Sequence, residues 1–316
     1  ERLGIAHYVL DFEERFRRAV IDDFAESYAR GVTPVPCVRC NQRIKFRDLA
    51  DIARDLGAVA LATGHYAERR EGRAGPELHR ARDPGKDQSY FLFATTPEQL
   101  AYLRFPLGDL TKDETRAHAR RLGLDLAEKA ESQDICFVPS GHYSDVVAKL
   151  RPEAMRPGEI VHTEDGRVLG RHEGVGRFTV GQRRGLGVAA RDGEPLYVVA
   201  VEAGRRRVVV GPRAAGLTAA ASLVEVNWLG DAPPSQAGVT LVAQHRYKSP
   251  PVAARLLSGG TEGEAEVRFA SPEPGVAPGQ ACVLYAGTRL LGGGWIGGVE
   301  PAAAAGASLD RAGAAA

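Results

Sequence analysis

Near Pro157 the chain changes texture, and no single fold class accommodates both sides of that point. Upstream, apolar residues at helical spacing alternate with polar loops and one short apolar run. Downstream, glycine recurs every few residues, helical periodicity stops, and β-rich runs follow one another at 196–201, 207–210, 239–245, 265–269 and 281–285. Strand, loop and helix in alternation mark an α/β layer, whereas closely spaced strands separated by turn residues build an antiparallel barrel or sandwich. The expectation is therefore an α/β part followed by a β-rich part, and 316 residues are enough to bury a core in each.

Within the upstream part, residues 7–10 read as a strand. Phe12, Phe16, Val20, Phe24 and Tyr28 then fall four apart on one face of a helix that Gly31 closes. Thr33-Pro34-Val35-Pro36 reads as an extended loop, 45–56 as a second helix ended by Gly57, and 58–63 as a short strand buried in a parallel sheet. Thr96-Pro97-Glu98 and Thr111 open two further helices, over 96–103 and 111–122. Forty-one basic and forty acidic side chains leave a formal charge of +1, which excludes a polybasic protein that clings to any polyanion but permits a local basic patch. No run of about 18 apolar residues occurs, and charges interrupt the first 20 residues, so a cytoplasmic protein without membrane association is expected.

Four cysteines are too few for a disulfide scaffold in a chain of this length, so each is judged as a reduced thiol. Cys37 and Cys40 form a C-x-x-C read as lying in a loop ahead of a helix. Arg39, Arg43 and Lys45 nearby would favour a thiolate, suited to a nucleophile or a metal ligand; two small loop residues would look the same. Cys136 stands alone after Glu131-Ser132-Gln133 and by itself reads as a buried structural cysteine, and Cys282 lies between Ala281 and Val283 in a β-run, where it reads as packing. Ala62-Thr63-Gly64-His65-Tyr66 is a small-residue turn at the carboxyl end of the expected strand, where α/β sheets bind ligands. Lys86-Asp87-Gln88-Ser89-Tyr90 gathers groups suited to phosphate and base contacts, as would a solvated turn. Between Arg177 and Arg213, eight arginines face three acids, a local basic excess of five; Arg183 and Arg184 sit there in a glycine-rich loop that suits phosphate backbones.

Six blocks occur in order: Pro-Cys-Val-Arg-Cys-Asn-Gln-Arg-Ile-Lys-Phe (36–46), Ala-Thr-Gly-His-Tyr (62–66), Lys-Asp-Gln-Ser-Tyr-Phe-Leu (86–92), Ser-Gln-Asp-Ile-Cys-Phe (132–137), Thr-Val-Gly-Gln-Arg-Arg-Gly-Leu-Gly (179–187) and Gly-Gly-Gly-Trp-Ile (292–296). Together they resemble the bacterial tRNA-specific 2-thiouridylases, the MnmA family, over about residues 1 to 300. The resemblance implies a PP-loop (adenine-nucleotide α-hydrolase-like) parallel-sheet α/β domain over 1–150, a small central domain over 151–215, a C-terminal β-barrel over 216–300 and a disordered Ala/Gly tail over 301–316. Family members carry a Ser-Gly-Gly-x-Asp-Ser PP-loop between an opening strand and helix. That motif does not occur here, so the chain reads as truncated by roughly 30 residues or more and as impaired in holding ATP.

By the same resemblance, ATP with Mg2+ adenylates the oxygen on carbon 2 of the wobble uridine of tRNA, and sulfur displaces AMP. Cys136 would carry the sulfur as a persulfide received from a donor protein, and Cys40 would be its partner thiol. Gly64 matches a nucleotide contact. Val35, Pro36 and Cys37 match the loop that holds the target base, and His65, Lys86, Asp87, Gln88, Arg246, Tyr247 and Gln280 match tRNA contacts. A monomer is expected, and a base flipped out of the anticodon stack. Cys37 stands where some relatives have an aspartate, which opens an alternative in which Cys37, Cys40 and Cys136 ligate an iron–sulfur cluster. Two other readings are a tRNA-binding remnant without catalysis and a PP-loop ligase acting on a small molecule; the basic segment and paired cysteines count against the ligase.

Overall fold

The computed structural model describes residues 4–124, 135–138, 141–188, 193–232, 234–235 and 237–302. Ser132, Gln133 and Asp134 of the fourth sequence block, Arg191, Asp192 and the tail from 303 onward lie outside the described residues. Residues 13–29 form one helix whose ends are α-helical and whose middle, Arg17–Ile21, is wound as a wider π-turn. Its stripe behaves as the spacing demands: Val20, Phe24 and Tyr28 are buried, and Phe24 and Tyr28 pack on the helix Tyr143–Leu150 through Tyr143.

The second helix is longer than expected. It runs over residues 36–55, with Pro36 at its first position and a π-helical stretch at Asn41–Asp48 between α-helical ends. The C-x-x-C is thus helical rather than part of a loop, because a proline that stiffens an extended segment also fits the first turn of a helix, where its missing N–H is not needed. The expected strand over 58–63 shrinks to β1 (Leu61–Ala62); Val59 is 92% exposed. Residues 7–10 form no strand, and Val9 is 86% exposed. A buried parallel strand needs a neighbour along its length, and among the described residues β1 has only a two-residue parallel partner, β4 (Leu103–Arg104).

A hairpin not anticipated from the sequence, although Gly72 and Gly75-Pro76 mark its turn, β2 (Ala67–Gly72) and β3 (Gly75–Arg80), leaves this layer and joins the distant β-barrel. The helices Pro97–Tyr102 and Lys112–Arg121 form as expected, the first with the capping threonine read from the sequence, and both begin with a threonine capping box. Next come β5 (Gly158–His162), β6 (Val168–His172), β7 (Tyr197–Glu202) and β8 (Arg207–Gly211), a four-stranded sheet in the order β6-β5-β8-β7 with β5 and β8 parallel. Ile160, Val198, Val208 and Val210 build its own core.

The last region is a closed six-stranded barrel of β9 (Leu217–Trp228), β10 (Val239–Gln244), β11 (Val252–Ser258), β12 (Ala265–Pro274), β13 (Ala281–Ala286) and β14 (Arg289–Pro301), sealed by pairing β13 with β14. β3 adds to β14 through Leu78 opposite Leu290 and His79 opposite Arg289. The glycine triplet 292–294 is what lets the α/β part approach the barrel wall: a Cβ on Gly293 would lie 2.6 Å from the Cys282 carbonyl and 2.9 Å from the Phe93 ring. One core is accordingly shared across that seam, with Val38, Phe46, Leu92 and Phe93 on one side and Ala281, Val283, Tyr285 and Trp295 on the other. No helix among the described residues is long and apolar enough to cross a membrane.

Candidate active site

A cavity of about 230 Å³ opens where the two long helices, the turn after β1 and residues 135–138 meet. Cys37, Cys40, Asn41 and Lys45 come from the second helix, Phe16 and Val20 from the first, and His65 from the turn. Gln88, Phe91, Ile135, Cys136 and Phe137 complete the wall. Cys37 and Cys40 are three apart and share a helical face; the first helix and Phe137, whose ring packs on Phe16 and Phe24, hold Cys136 opposite them. Three thiols separated by up to about a hundred positions therefore share one cavity, as the pairing of Cys40 with Cys136 requires, and none is in a disulfide.

The expected thiolate bias is not found in this arrangement. Loss of hydration pushes the Cys37 and Cys40 thiols up from their ordinary value, and the neighbouring Cys136 adds to this while Lys45 pulls both the other way. Cys37 is open to solvent at the mouth, yet the mass of protein behind it is dense enough for desolvation to win. The arginines that were to help are turned away. Arg39 forks onto Glu225 at 2.7 and 2.9 Å and stacks over Trp295, while Arg43 reaches Asp23 and the Ala19 carbonyl. Cys282 is buried inside the barrel and pushed up to about 12 by burial, so it is packing, as its apolar neighbours imply.

Gly64 is exposed in the turn beside the cavity. A Cβ there would meet only Leu107, at 3.8 Å, so the space against its backbone is open to a ligand. His65 shares a 2.8 Å hydrogen bond with Thr63 and sits edge-on to Phe46 and Phe105. Burial first, and Lys45 second, push its pKa down to about 4, so the ring is neutral at physiological pH. Gln88 lines the wall with its Oε1 accepting from the Tyr66 N–H at 2.9 Å. Asn41 is buried; its Nδ2 donates to the Phe91 carbonyl while its Oδ1 has no partner among the described residues.

The other residues expected to contact tRNA lie outside the cavity wall. Asp87 is buried and its carboxylate accepts from Arg80, the Ala81 and Ser89 N–H groups and the Ser89 hydroxyl. Lys86 is half-buried in the preceding turn. Arg246 donates to the Val180 carbonyl at 2.6 Å and ties the central sheet to the barrel. Tyr247 is exposed, with its ring 4.3 Å from that of Phe91. Gln280 donates to the Thr33 carbonyl, and Thr33 N–H to the Pro278 carbonyl, so the barrel holds the segment carrying Val35 and Pro36; a Cβ on Gly279 would strike Val32. Pro36 lines the cavity and Val35 packs into the shared core behind it. Arg183 and Arg184 are exposed on their loop. Among the described residues no three His, Cys, Asp or Glu side chains, Cys37, Cys40 and Cys136 as arranged included, stand close enough together to hold a metal ion.

Comparison with known proteins bears on this arrangement. Residues 1–140 match a family model described as a tRNA methyl transferase HUP domain, 144–212 the PRC-barrel domain of the same series, and 220–296 an aminomethyltransferase beta-barrel domain. The tRNA-specific 2-thiouridylase MnmA of Parvibaculum lavamentivorans is 61% identical over 304 residues, covering 94% of this chain and 75% of that protein. The chain belongs to the tRNA-specific 2-thiouridylase family. The Rhodospirillum centenum 2-thiouridylase is likewise 61% identical over 302 residues, 94% of this chain and 76% of its own length, and that of Methylobacterium sp. is 59% identical over 308 residues, 96% and 80%. The family's HUP, PRC-barrel and β-barrel order is the order of the three regions seen here. Of the cavity wall, sequence reasoning named Pro36, Cys37, Cys40, His65, Gln88 and Cys136 as site residues but not Phe16, Val20, Asn41, Lys45, Phe91, Ile135 or Phe137. Phe16 and Val20 were visible only as members of an apolar stripe, and nothing local distinguished Lys45 from the arginines beside it.

Proposed function

We propose that this chain is an ATP-dependent sulfurtransferase acting on carbon 2 of the wobble uridine of tRNA, with Cys136 as the persulfide carrier and Cys40 as its partner thiol. The observation that carries the reading is the convergence of Cys37, Cys40 and Cys136 on one small, mostly apolar cavity beside the open turn at Gly64. The cavity is smaller than the roughly 300–1,000 Å³ of a cleft that encloses a drug-sized ligand. That suits one flipped base, with the rest of the RNA outside.

In this reading the uracil oxygen attacks the α-phosphorus of ATP, pyrophosphate leaves, and N3 gives up its proton. The terminal sulfur of the Cys136 persulfide attacks carbon 2, and the oxygen departs on AMP. The Cys40 thiolate then attacks Cys136 Sγ; the S–S bond breaks, its electron pair stays on the sulfur bound to carbon 2, and N3 regains a proton to give the thione. A Cys40–Cys136 disulfide remains for a thiol reductant to reopen. The persulfide comes from a donor protein, which supplies sulfur at the required oxidation level.

Gly64 offers its backbone to the nucleotide, and Mg2+ accompanies the phosphates. His65 and Gln88 border the base, Cys37, Pro36 and Val35 form its ledge, and Tyr247 presents a ring to the loop. Lys86, Arg183 and Arg184 face RNA phosphate, while Asp87, Arg246 and Gln280 act by holding these elements in place. Further proposals are working domains at 1–150, 151–215 and 216–300 and a monomeric cytoplasmic enzyme.

The test is thiolation of a tRNA transcript with ATP and a persulfide donor, using the chain together with any residues its gene encodes before Glu1. Cys136→Ser is expected to abolish product, since a hydroxyl carries no transferable sulfur, while Cys37→Ser keeps most of the activity. Thiolation by Cys136→Ser would overturn the persulfide assignment. tRNA binding with no thiolation by the unmutated protein would favour a binding role.

A further inference from the structure

Three cations lie within or just after the cysteine pair in sequence, Arg39, Arg43 and Lys45, and the fold separates them. Arg39 is committed to Glu225 and Trp295, and Arg43 to Asp23 and the Ala19 carbonyl. Of these three Lys45 alone turns into the cavity, and with His65 neutral it is the only formally charged side chain in the wall among the described residues. Among the described residues it has no carboxylate partner. An ammonium held against mostly apolar walls is costly unless an anion joins it.

The helix geometry decides which anion. Asn41–Asp48 is wound as a π-helix, and the wider turn of a helix that hydrogen-bonds to the fifth residue brings a residue five positions on much nearer the starting face than an α-helix would. Lys45 is five residues after Cys40 and four after Asn41, so the wide turn carries its side chain onto the face that Cys37 and Cys40 present to the cavity. An α-helical continuation would rotate a residue five positions on away from that face.

We infer that Lys45 is the group that holds the sulfur of Cys40 as an anion, and so sets when this thiol can attack. This deepens the sulfur-transfer reading and rests on it for its biological sense, although its test does not. Among the described residues, the other titratable groups facing Cys40 are Cys37 on its own helix, Cys136 from residues 135–138 and His65 from the turn after β1. Both thiols raise the cost of charging Cys40 or leave it unaided, and the ring is neutral, so Lys45 is the one favourable charge. Burial still outweighs it in the free protein. The site is therefore a guarded thiol that ionises with the help of a single side chain.

The test is the pH dependence of iodoacetamide alkylation in the full chain, resolved cysteine by cysteine by peptide mass spectrometry. In Lys45→Met the Cys40 profile is expected to move up by about one pH unit, with alkylation at pH 7.5 slowed by about five- to tenfold. Lys45→Arg, which keeps the charge, should restore most of the rate. Cys282 is the internal control for folding, because it is buried in the barrel and should stay unmodified in every variant. If Lys45→Met exposes Cys282, Lys45→Gln takes its place. An unchanged Cys40 profile in a folded variant overturns the inference, and so does an arginine variant as slow as the methionine one. No tRNA or ATP enters the measurement. A shifted profile alongside thiolation by Cys136→Ser would thus leave Lys45 in place while the function proposed above fell.

Discussion

The interior of the barrel and the thiol cavity both bury cysteine, and they treat it in opposite ways. Cys282 sits on a strand paired on both sides, in the apolar cluster of Ala221, Leu223 and Leu284; burial pushes it up to about 12. Cys40 also loses hydration, but it shares its walls with a lysine and two more thiols and opens to solvent. Depth alone does not make a thiol inert. What separates the two is whether a charge is placed within reach, and whether the surrounding layer is closed on itself like the barrel or left open between two helices.

The largest expected effect breaks or confirms the contrast in packing. Leu256 is fully buried in the barrel, whereas Val20, equally hidden from water, has the cavity on one side. Leu256→Ala should cost about 3 kcal/mol, because a closed barrel cannot collapse into the space left behind. Val20→Ala should cost about 1.5 kcal/mol, near the bare transfer value for the carbons removed, since its wall is already incomplete. Urea unfolding followed by fluorescence reads both; the chain's two tryptophans, Trp228 and Trp295, are in β9 and β14. Equal losses would mean that the cavity wall is as rigid as the barrel.

A second effect places one histidine in each region. His65 at the cavity and His245 in the barrel are both pushed down to about 4, burial being the larger cause in each. Between about pH 6.5 and pH 4 the unfolded chain binds these protons and the folded chain does not, so stability falls as pH drops through that window and neither residue contributes above it. Urea midpoints at pH 7 and pH 5 should differ for the unmutated protein. His65→Gln and His245→Gln should each reduce the difference. If only His245→Gln does so, the cavity hydrates His65 more than its ring contacts imply.

The apolar stripe Phe12 to Tyr28 was legible because its period matches a helix, and the five β-runs because β-rich residues cluster there between recurring glycines; two of them became β7 and β8 of the four-stranded sheet and three became β10, β12 and β13 of the barrel. β14 was hidden by its own glycines, Gly292 to Gly294, which lower strand propensity in exchange for close approach to Phe93 and Cys282. Residues 7–10 and 58–63 have strand-like composition, yet a strand also needs partners, and composition does not reveal them. At the site, the thiols were legible as chemistry but their surroundings were not. The direction of Arg39 is fixed by Glu225, 186 positions away, and the direction of Lys45 by a π-turn with no distinctive sequence signal.

Arg39 supplies the smallest effect and ties the two regions together. It lies between the two cysteines of the C-x-x-C, but its guanidinium reaches the barrel, where it meets Glu225 bidentately and covers Trp295 at 4.1 Å. Glu225 holds a left-handed backbone, φ +49°, a conformation that side chains other than glycine, asparagine and aspartate adopt rarely. Its carboxyl is held below the usual range by the hydrogen bonds from Arg39. Because Glu225 is half open to water, the pair is worth about 1 kcal/mol at most, and the cation over the indole adds about 0.5–1 kcal/mol. Arg39→Met keeps the apolar stem and removes both interactions, so the expected loss is about 1–1.5 kcal/mol with a change in the Trp295 emission. The same variant should leave the pH profile of Cys40 alkylation where it is, because this arginine points away from the thiols. A Cys40 profile that moved as far in Arg39→Met as in Lys45→Met would erase the distinction between the two faces of the cysteine helix, and would make thiol ionisation a property of the helix as a whole rather than of one lysine.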